Sequence, residues 1–300
     1  MRDVIVEFLK MNDVKYKENV ALSSLSYIKI GGIAHLVIFP NTEYKMISVI
    51  RFLGNHGIPY KILGRMSNVL PPDGEYSKII IKTDLLNHYQ IIGSIIEAQA
   101  GVSLPVISSV TENAELSGFE EISGIPGSVG GAVTGNAGAF GCEIGGLVSE
   151  VRVYDSLTDN IIDLSYHDAT FSYRSSKIKD NGYVILSVRF KLCPLSKDLI
   201  KMKTHSYRNI RREKQPLIQP SLGSVFKRPG YGIYASKLID DSELRGIRIG
   251  GAEISQKHAG FIINTGNATA KDYIELCKLI EETVYKNYNI KLEREVEFLE

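Results

Sequence analysis

One stretch of the chain, residues 124–141, combines many glycines with small apolar side chains. It reads GIPGSVGGAVTGNAGAFG. Flexible linkers are rich in Gly and Ser but poor in apolar residues, so this stretch is not a linker. Glycine allows positive φ angles and close approach of the backbone to another surface. Two interpretations are open: a tight corner between two strands, or a loop whose backbone N–H groups and Asn136 face a flat ligand.

The composition is that of an ordinary globular protein, and we expect two domains. The 300 residues contain 35 Lys and Arg against 34 Asp and Glu, which gives a formal net charge of +1. Because the charge is balanced, nothing favours a nucleic acid or a membrane surface as partner, and we expect a small molecule. No apolar run approaches the roughly 20 residues of a membrane span. The N-terminus lacks a signal-peptide core, which predicts a cytoplasmic protein.

The cysteines give no sign of a disulfide framework or a metal site. Cys142, Cys193 and Cys277 are odd in number and scattered, without CxxC or Cys/His spacing. We therefore expect no metal, and we interpret the three side chains as small buried hydrophobes.

Hydrophobic periodicity predicts alternating helices and strands. The clearest segments are a helix over residues 42–56, a strand over 60–63, a basic helix over 197–214 and a helix that Thr269 caps with Asp272. Residues 23–40 are predicted to form two short β-runs, and residues 292–299 a final strand. The basic helix is interpreted as a solvated helix face or, as the alternative, a patch for an anionic ligand.

A small polar loop follows the strand over residues 60–63. Strand, helix, strand and loop is the order in which α/β units present a loop to a phosphate. Neither GxGxxG after a first strand nor GxxxxGK[ST] is present, so neither a Rossmann nor a P-loop nucleotide site is favoured.

Several motifs in fixed order resemble the UDP-N-acetylenolpyruvoylglucosamine reductase (MurB) family of flavoenzymes. The glycine stretch is similar to the family's GIPGxVGGAxxxNAGAxG flavin loop. Further matches are LGRMSN (63–68) to the phosphate loop LGxGSN, FSYRSS (171–176) to YRxS, GSVFKRP (223–229) to GSxFKxP, GGAEISQKHA (250–259) to GGAxxSxKHA and LEREV (292–296) to LxxEV. The resemblance covers residues 20–300.

The resemblance implies an α+β fold. It places a p-cresol methylhydroxylase-type FAD-binding domain of two α/β subdomains (about 1–84 and 85–193) before a smaller α/β substrate-binding domain (200–300). The implied cofactor is non-covalent FAD, with NADPH as co-substrate. The length is similar to that of the family's shorter subtype. The implied reaction reduces the enolpyruvyl double bond of a UDP-sugar, an oxidoreduction of a CH–CH bond in peptidoglycan synthesis, by a protein that acts as a monomer.

The resemblance also assigns site residues. Arg174 would hold the substrate carboxylate and stabilise the developing enolate, Ser224 would donate the proton, and Glu295 would fill a second electrostatic or acid role. Substrate contacts fall on Tyr173, Lys227 and His258. FAD contacts fall on Gly64, Ser67, Asn68, Ile125, Gly127, Ser128, Gly130, Gly131, Asn136, Ala137 and Gly138.

Two departures from the family pattern concern glycine positions. Met66 stands in the phosphate loop and Glu243 stands before Leu244, where the family usually has glycine. If the backbone at Met66 has positive φ, a non-glycine residue costs about 1 kcal/mol or more there, and FAD affinity would suffer.

Two alternatives to the reductase remain open from the sequence. The first is an FAD oxidoreductase of the same fold with another substrate, which would keep the glycine stretch without needing Arg174, Ser224 and Glu295 together. The second is a non-catalytic flavin- or nucleotide-binding paralogue, to which Met66 points.

Overall fold

The computed structural model describes residues 2–299, which form mixed α and β structure. The helices are α1 (Arg2–Met11), α2 (Leu22–Leu25), α3 (Glu43–Asn55), α4 (Leu104–Asn113), α5 (Val129–Thr134), α6 (Tyr166–Ala169), α7 (Lys177–Asp180), α8 (Lys197–Lys214), α9 (Ala235–Asp241) and α10 (Ala270–Tyr288). The strands are β1 (Lys15–Ala21), β2 (Ile33–Phe39), β3 (Tyr60–Leu63), β4 (Val69–Leu70), β5 (Glu75–Tyr76), β6 (Ile79–Lys82), β7 (Tyr89–Ile92), β8 (Ile95–Gln99), β9 (Leu116–Ser117), β10 (Gly138–Ala139), β11 (Cys142–Glu143), β12 (Val148–Asp155), β13 (Asn160–Ser165), β14 (Phe171–Ser172), β15 (Ser175–Ser176), β16 (Val184–Lys191), β17 (Cys193–Pro194), β18 (Ser221–Ser224), β19 (Arg248–Ile249), β20 (Ala252–Ile254), β21 (Phe261–Asn264) and β22 (Glu297–Phe298).

The chain packs into two units that are both discontinuous in sequence. The first unit contains residues 2–18, Leu36–Arg65 and Lys78–Asn209, and the second contains Asn19–His35, Met66–Ser77 and residues 210–299. The division into domains 1–193 and 200–300 that the sequence predicts is contiguous. In the structure, by contrast, two N-terminal segments pack with the C-terminal residues.

The first sheet of the first unit contains the parallel strands β2, β6 and β3. Strand β6 lies between β2 and β3, with Val37 opposite Ile80 and Tyr60 opposite Ile79. All four residues of β6 are buried, as is usual for a parallel strand covered on both faces. Helix α3 begins where the Thr42 side chain accepts a hydrogen bond from the Lys45 N–H at 3.1 Å. It buries one face in the core of this sheet.

The second sheet of the first unit is antiparallel, in the order β13-β12-β16-β8-β7. Its core contains residues of α4 and α5, and the two helices flank the start of the glycine stretch. Tyr154, Val184 and Leu186 of the same sheet belong to the core of the first sheet. The two subdomains predicted within residues 1–193 therefore share buried side chains.

The second unit places α9 and α10 against an antiparallel sheet in the order β18-β21-β20-β19. Helix α10 starts with a complete capping box, because the Thr269 hydroxyl accepts the Asp272 N–H and the Asp272 carboxylate accepts the Thr269 N–H. The predicted buried face of this helix is confirmed, since each of its four predicted residues is fully buried: Tyr273, Cys277, Ile280 and Val284.

Three predicted elements are confirmed closely, namely α3, β3 and α8. The prediction of a β-run at residues 23–30 is wrong, because Leu22–Leu25 forms a short helix and residues 27–32, all within the described part of the chain, form no strand. The prediction of a strand over residues 292–299 is also wrong in extent. Of these residues, Glu297–Phe298 forms a strand, parallel to β4.

No helix within residues 2–299 has the length and apolar character needed to cross a membrane.

Candidate active site

The glycine stretch is an ordered segment bonded to the end of β8. The Gly130 N–H donates to the Ala100 carbonyl and the Val129 N–H donates to the Val102 carbonyl, both at 2.8 Å. A Cβ atom on Gly130 would lie 2.9 Å from the Ala100 Cβ, so only glycine fits this close approach. After α5 the chain forms the narrow ribbon β10/β11. The stretch is thus a loop, a short helix and a ribbon, rather than a corner between two long strands.

Gly64 of the phosphate loop lies against the glycine stretch. A Cβ atom on Gly64 would be 2.3 Å from the Ser128 Oγ and 3.8 Å from the Thr83 Oγ1. Both hydroxyl groups are buried, and neither has a hydrogen-bond partner among residues 2–299. A buried hydroxyl without a partner is costly, and a bound acceptor removes that cost. The residues present therefore fit a phosphate group of FAD, which would take hydrogen bonds from these donors.

A buried cation stands beside the same loop. Lys82 is 2 % exposed, its ammonium group donates to the Gly64 carbonyl, and it lies 3.1 Å from the Asp84 carboxylate. Burial lowers the pKa of Lys82, while Asp84 acts to raise it. No motif in the sequence indicates Lys82 or Thr83 as site residues. A lysine at the end of the apolar run KIIIK is the one feature that could have drawn attention to a buried charge.

Arg174 lies in a two-residue turn between β14 and β15. Ser172 pairs with Ser175, which leaves Tyr173 and Arg174 at the turn. Arg174 has φ of 57°, a conformation that costs a non-glycine residue about 1–3 kcal/mol and that often marks functional sites. Its guanidinium donates to the Gly138 carbonyl at 3.3 Å and lies 5.0 Å from the centre of the Tyr173 ring. The structure thus brings Arg174, Tyr173 and Gly138 together.

Asn136 is 1 % exposed, and its side chain bonds to protein groups on three sides. Its Oδ1 accepts the Gly145 N–H at 3.0 Å, and its Nδ2 donates to Glu143 Oε2 at 2.7 Å and to the Ser172 carbonyl at 2.8 Å. Both N–H groups of the amide are therefore used within the protein. The prediction that Asn136 contacts FAD stays a prediction, and the structure gives its side chain a further set of partners. Glu143 was missed by the sequence reasoning.

The remaining predicted cofactor residues of the first unit lie along the same stretch. Gly131 belongs to the first turn of α5, where an added Cβ atom would lie 3.5 Å from the Ser128 Oγ. The Gly127 carbonyl accepts the Leu104 N–H at 3.0 Å. Ile125 and Ala137 pack against the core of the second sheet. Their roles toward FAD stay predictions.

In the second unit, Ser224 and Glu295 lie on neighbouring segments. The Glu295 N–H donates to the Val225 carbonyl at 2.8 Å, and Phe226 forms a bridge with Arg294. Ser224 is exposed at the end of β18 and Glu295 is half-buried. The structure thus brings two of the three predicted catalytic residues together, and the third, Arg174, belongs to the first unit.

Asn68 of the phosphate loop joins this pair. Its Nδ2 donates to the Glu295 carbonyl at 2.9 Å, and its own carbonyl accepts the Glu297 N–H at 3.0 Å. Ser67 precedes it and is half-buried, and Met66 before that has φ of 53°. The suspected left-handed backbone at Met66 is therefore present.

The predicted substrate residues of the second unit are Lys227 and His258. Lys227 forms an ion pair with Glu293 at 2.5 Å. His258 is half-buried, its Nδ1 accepts the Gly260 N–H at 3.1 Å, and burial lowers its pKa. Because its pKa is lowered, the His258 imidazole is neutral at neutral pH. Within residues 2–299, no group of three or more His, Cys, Asp or Glu side chains is placed to hold a metal ion.

Comparison with known proteins covers both units. Residues 34–159 match the sequence model of an FAD binding domain, and residues 215–299 match that of the UDP-N-acetylenolpyruvoylglucosamine reductase C-terminal domain. The fold is therefore an FAD-binding domain combined with that C-terminal domain.

Relatives that match the whole length of the chain carry the same reductase name as the C-terminal domain model. The chain is 42 % identical over 299 residues to UDP-N-acetylenolpyruvoylglucosamine reductase of Streptococcus pneumoniae strain Hungary19A-6, covering 100 % of this chain and 98 % of the relative. It is equally similar, at 42 %, to the enzyme of strain R6, covering 93 % of that protein. Among solved structures, the reductase MurB of Thermus caldophilus superposes with a TM-score of 0.81 at 30 % identity, over 96 % of this chain and 99 % of that one. The chain therefore belongs to the UDP-N-acetylenolpyruvoylglucosamine reductase family.

Proposed function

We propose that this protein reduces UDP-N-acetylglucosamine enolpyruvate to UDP-N-acetylmuramate, with NADPH as reductant, in peptidoglycan precursor synthesis. The observation that carries the proposal is the 42 % identity to such reductases over the whole chain, together with the buried hydroxyls of Ser128 and Thr83 beside Gly64, which lack partners within residues 2–299. We place the reaction in the cytoplasm and assign it to a monomer.

When bound, FAD would supply the hydride-transfer chemistry between NADPH and the substrate. The residues that would hold it are Gly64, the buried hydroxyls of Ser128 and Thr83, and the backbone of the glycine stretch. The close approach of Gly130 to Ala100 keeps that backbone in place.

Arg174 binds the carboxylate of the enolpyruvyl group. Hydride addition at the terminal carbon leaves negative charge on the adjacent carbon and its carboxylate, and a fixed guanidinium stabilises that charge bidentately. The strained backbone of Arg174 and its bond to the Gly138 carbonyl support this role, because both fix the direction of the side chain.

Ser224 donates the proton that completes the lactyl ether. Its hydroxyl is exposed at the end of β18, next to the segment that carries Glu295. Glu295 supports the proton transfer as a second acid or as a charge that orients the donor. Tyr173, Lys227 and His258 contact the UDP-sugar.

The function is tested by stopped-flow spectroscopy of the two half-reactions. NADPH should bleach the visible flavin absorption, and UDP-N-acetylglucosamine enolpyruvate should then restore it. Reduction without reoxidation by this substrate would leave an FAD oxidoreductase that acts on another substrate. A protein that binds no FAD at all would be the non-catalytic paralogue.

The role of Ser224 is tested by Ser224→Ala. The variant should keep the rate of flavin reduction by NADPH and slow substrate-driven reoxidation about 10²–10⁴-fold, the usual size of a general-acid contribution. Ser221→Ala, on the same strand, is the matched control and should keep both rates. Equal slowing of both half-reactions in Ser224→Ala would contradict the proton-donor role.

A further inference from the structure

The turn that carries Arg174 is attached to the glycine stretch at three points. Asn136 Nδ2 donates to the Ser172 carbonyl at 2.8 Å, on the strand that enters the turn. Ser176 Oγ donates to the Thr134 carbonyl at 2.7 Å, on the strand that leaves it. Arg174 itself donates to the Gly138 carbonyl. A two-residue turn with only two residue pairs in its ribbon needs such external bonds to keep one conformation.

The Asn136 amide is fixed in its own orientation by two further bonds. Glu143 Oε2 accepts one of its N–H groups at 2.7 Å, and the Gly145 N–H donates to its Oδ1 at 3.0 Å. Because Glu143 and the Ser172 carbonyl are both acceptors and the Gly145 N–H is a donor, only one orientation of the amide satisfies all three. The carboxylate therefore directs the remaining N–H toward Ser172.

We propose that Asn136 and Glu143 are positioning residues, which hold the turn of Tyr173 and Arg174 so that the Arg174 guanidinium points at the substrate carboxylate. The proposal rests on the role of Arg174 given above. It assigns Glu143, which lies in the ribbon after α5, a part in the reaction without contact with the reacting atoms. The glycine stretch thus orients the arginine as well as lining the cofactor.

A role of Asn136 in local folding alone would need only its bonds to Gly145 and Glu143, which lie within residues 136–145. The bond to Glu143 also orients the amide N–H that reaches Ser172. The bond to Ser172 joins a segment 36 residues later in the chain, two residues before Arg174. The two roles therefore separate by substitution.

The first variant is Asn136→Asp. Its carboxylate still accepts the Gly145 N–H but has no N–H for Ser172 or Glu143, so the turn is released. It also faces the Glu143 carboxylate at a buried position, so the variant loses stability as well. We expect reoxidation of the reduced flavin by saturating substrate to slow by about 10–100-fold, the size that follows from a misplacement of about 1 Å. Flavin reduction by NADPH, measured with FAD saturating, should slow less than reoxidation, because Arg174 acts on the substrate carboxylate in the reoxidation step.

Thr111→Val is the matched control. The buried Thr111 hydroxyl donates to the Ile107 carbonyl at 2.9 Å within α4, outside the glycine stretch and the turn of Arg174. The variant loses one hydrogen bond of similar length, and we expect wild-type rates in both half-reactions.

The double variant Asn136→Asp with Glu143→Gln separates folding from positioning. The glutamine introduced at position 143 donates to the aspartate introduced at position 136 and restores the bond between the two side chains, whereas the bond to Ser172 stays lost. Thermal stability should rise above that of Asn136→Asp, although the lost bond to Ser172 keeps it below the wild-type value, while reoxidation stays slow. Recovery of the reoxidation rate together with the stability would overturn the proposal.

A double-mutant cycle with Arg174→Lys tests whether Asn136 acts through the arginine. In the Arg174→Lys background, Asn136→Asp should slow reoxidation by less than about twofold, because the group that it positions is gone. Full additivity would overturn the positioning role. If Arg174→Lys alone reoxidised the flavin at the wild-type rate, that result would contradict the proposed role of Arg174, on which the positioning role of Asn136 rests. If Asn136→Asp does not fold, Glu143→Ala replaces it in the cycle, because alanine removes the acceptor that orients the Asn136 amide. The expected slowing is then about three- to tenfold.

Discussion

Several non-glycine residues have left-handed backbone, and three of them differ in how the strain is offset. Met66, Arg174 and Glu243 have φ angles of 53°, 57° and 58°, where a side chain costs about 1–2 kcal/mol. They differ in what offsets that cost. Met66 is 2 % exposed and Arg174 bonds to the Gly138 carbonyl, whereas the Glu243 side chain is exposed to solvent. Burial therefore compensates the strain at Met66 but not at Glu243.

Met66→Gly and Glu243→Gly should therefore change stability in opposite directions. Glu243→Gly should raise the free energy of unfolding by about 1 kcal/mol, since it removes strain from an exposed position. Met66→Gly should lower it by about 1–3 kcal/mol, because loss of a buried Met side chain outweighs the strain that is relieved. Urea unfolding of the FAD-free protein measures both. A Met66→Gly variant more stable than the wild type would show that relief of strain outweighs the lost burial. The FAD dissociation constant of the same variant tests the expectation that Met66 weakens FAD binding.

Lys82→Met tests the buried cation beside Gly64. Removing the ammonium group should weaken FAD binding about tenfold, or about 1.4 kcal/mol, because a positive charge next to the phosphate site is lost. The FAD-free protein should lose stability, since the substitution removes one partner of the ion pair with Asp84 and leaves that carboxylate without the ammonium group. Flavin fluorescence titration gives the affinity. Lys61→Met, at an exposed position of β3, is the control, and equal affinities for the two variants would exclude the role of Lys82.

Among single residues, those in motifs were easier to predict than those that support them. The sequence indicates Gly64, Ser128 and Arg174 as candidate site residues because each belongs to a motif. It did not indicate Glu143, whose importance comes from one carboxylate oxygen 2.7 Å from the Asn136 Nδ2. A hydrogen bond between side chains has no periodicity, so no sequence pattern predicts it.

At the scale of elements, helix α10 shows how a cap links stability to pH. Burial acts to raise the pKa of Asp272, but the bonds from the Thr269 N–H, the Thr269 hydroxyl and the Gly251 N–H outweigh it and lower the pKa. A lowered carboxyl pKa in the folded state stabilises the protein above the unfolded value of about 4. That contribution disappears as the pH falls through the folded pKa.

Asp272→Asn should consequently destabilise the protein by about 1 kcal/mol at neutral pH, and by progressively less as the pH falls from about 4 through the lower pKa of the folded state. The difference in unfolding free energy between wild type and variant, measured in urea across this range, isolates Asp272 from other carboxylates. Glu282→Gln, on the same helix, is the charge-matched control. A difference that stays constant as the pH falls would contradict the cap's dependence on charge.

The same cap was predictable because Thr269 and Asp272 act within one turn. Strands depend on partners elsewhere in the chain, and the two strand predictions discussed next were wrong for that reason. Alternation in residues 292–299 predicts a strand, yet residues 293–295 meet residues 225–227 through single bonds, and Glu297–Phe298 alone pairs with β4 within the described range. In residues 23–30 the alternation reflects burial of Ile28 and Ile30 in a core, which needs no strand.

At the scale of the whole molecule, each unit draws on distant parts of the chain. The core of the second unit includes Ile28, Ile30 and Leu70 beside the residues of α9 and α10. Strand β22 near the C-terminus pairs with β4, Glu297 lying opposite Val69. Asp73 accepts the N–H groups of Ala270 and Lys271 at 2.5 and 3.0 Å at the start of α10. A sequence shows where composition changes but not which distant segments pack together.

Residues 200–300 expressed alone should therefore fail to unfold cooperatively. The fragment lacks Ile28, Ile30 and Leu70 of its core, the partner of β22 and the carboxylate of Asp73 at the start of α10. Losing one buried Ile or Leu costs about 2–5 kcal/mol, so losing all of them exceeds much of the roughly 5–15 kcal/mol by which domains are typically stable. Thermal unfolding followed by circular dichroism should show no sharp transition. Ile28→Ala in the full chain measures how much one of these side chains contributes, with an expected loss of about 2–5 kcal/mol in the free energy of unfolding. A cooperative transition of the fragment would mean that residues 200–300 form a domain by themselves.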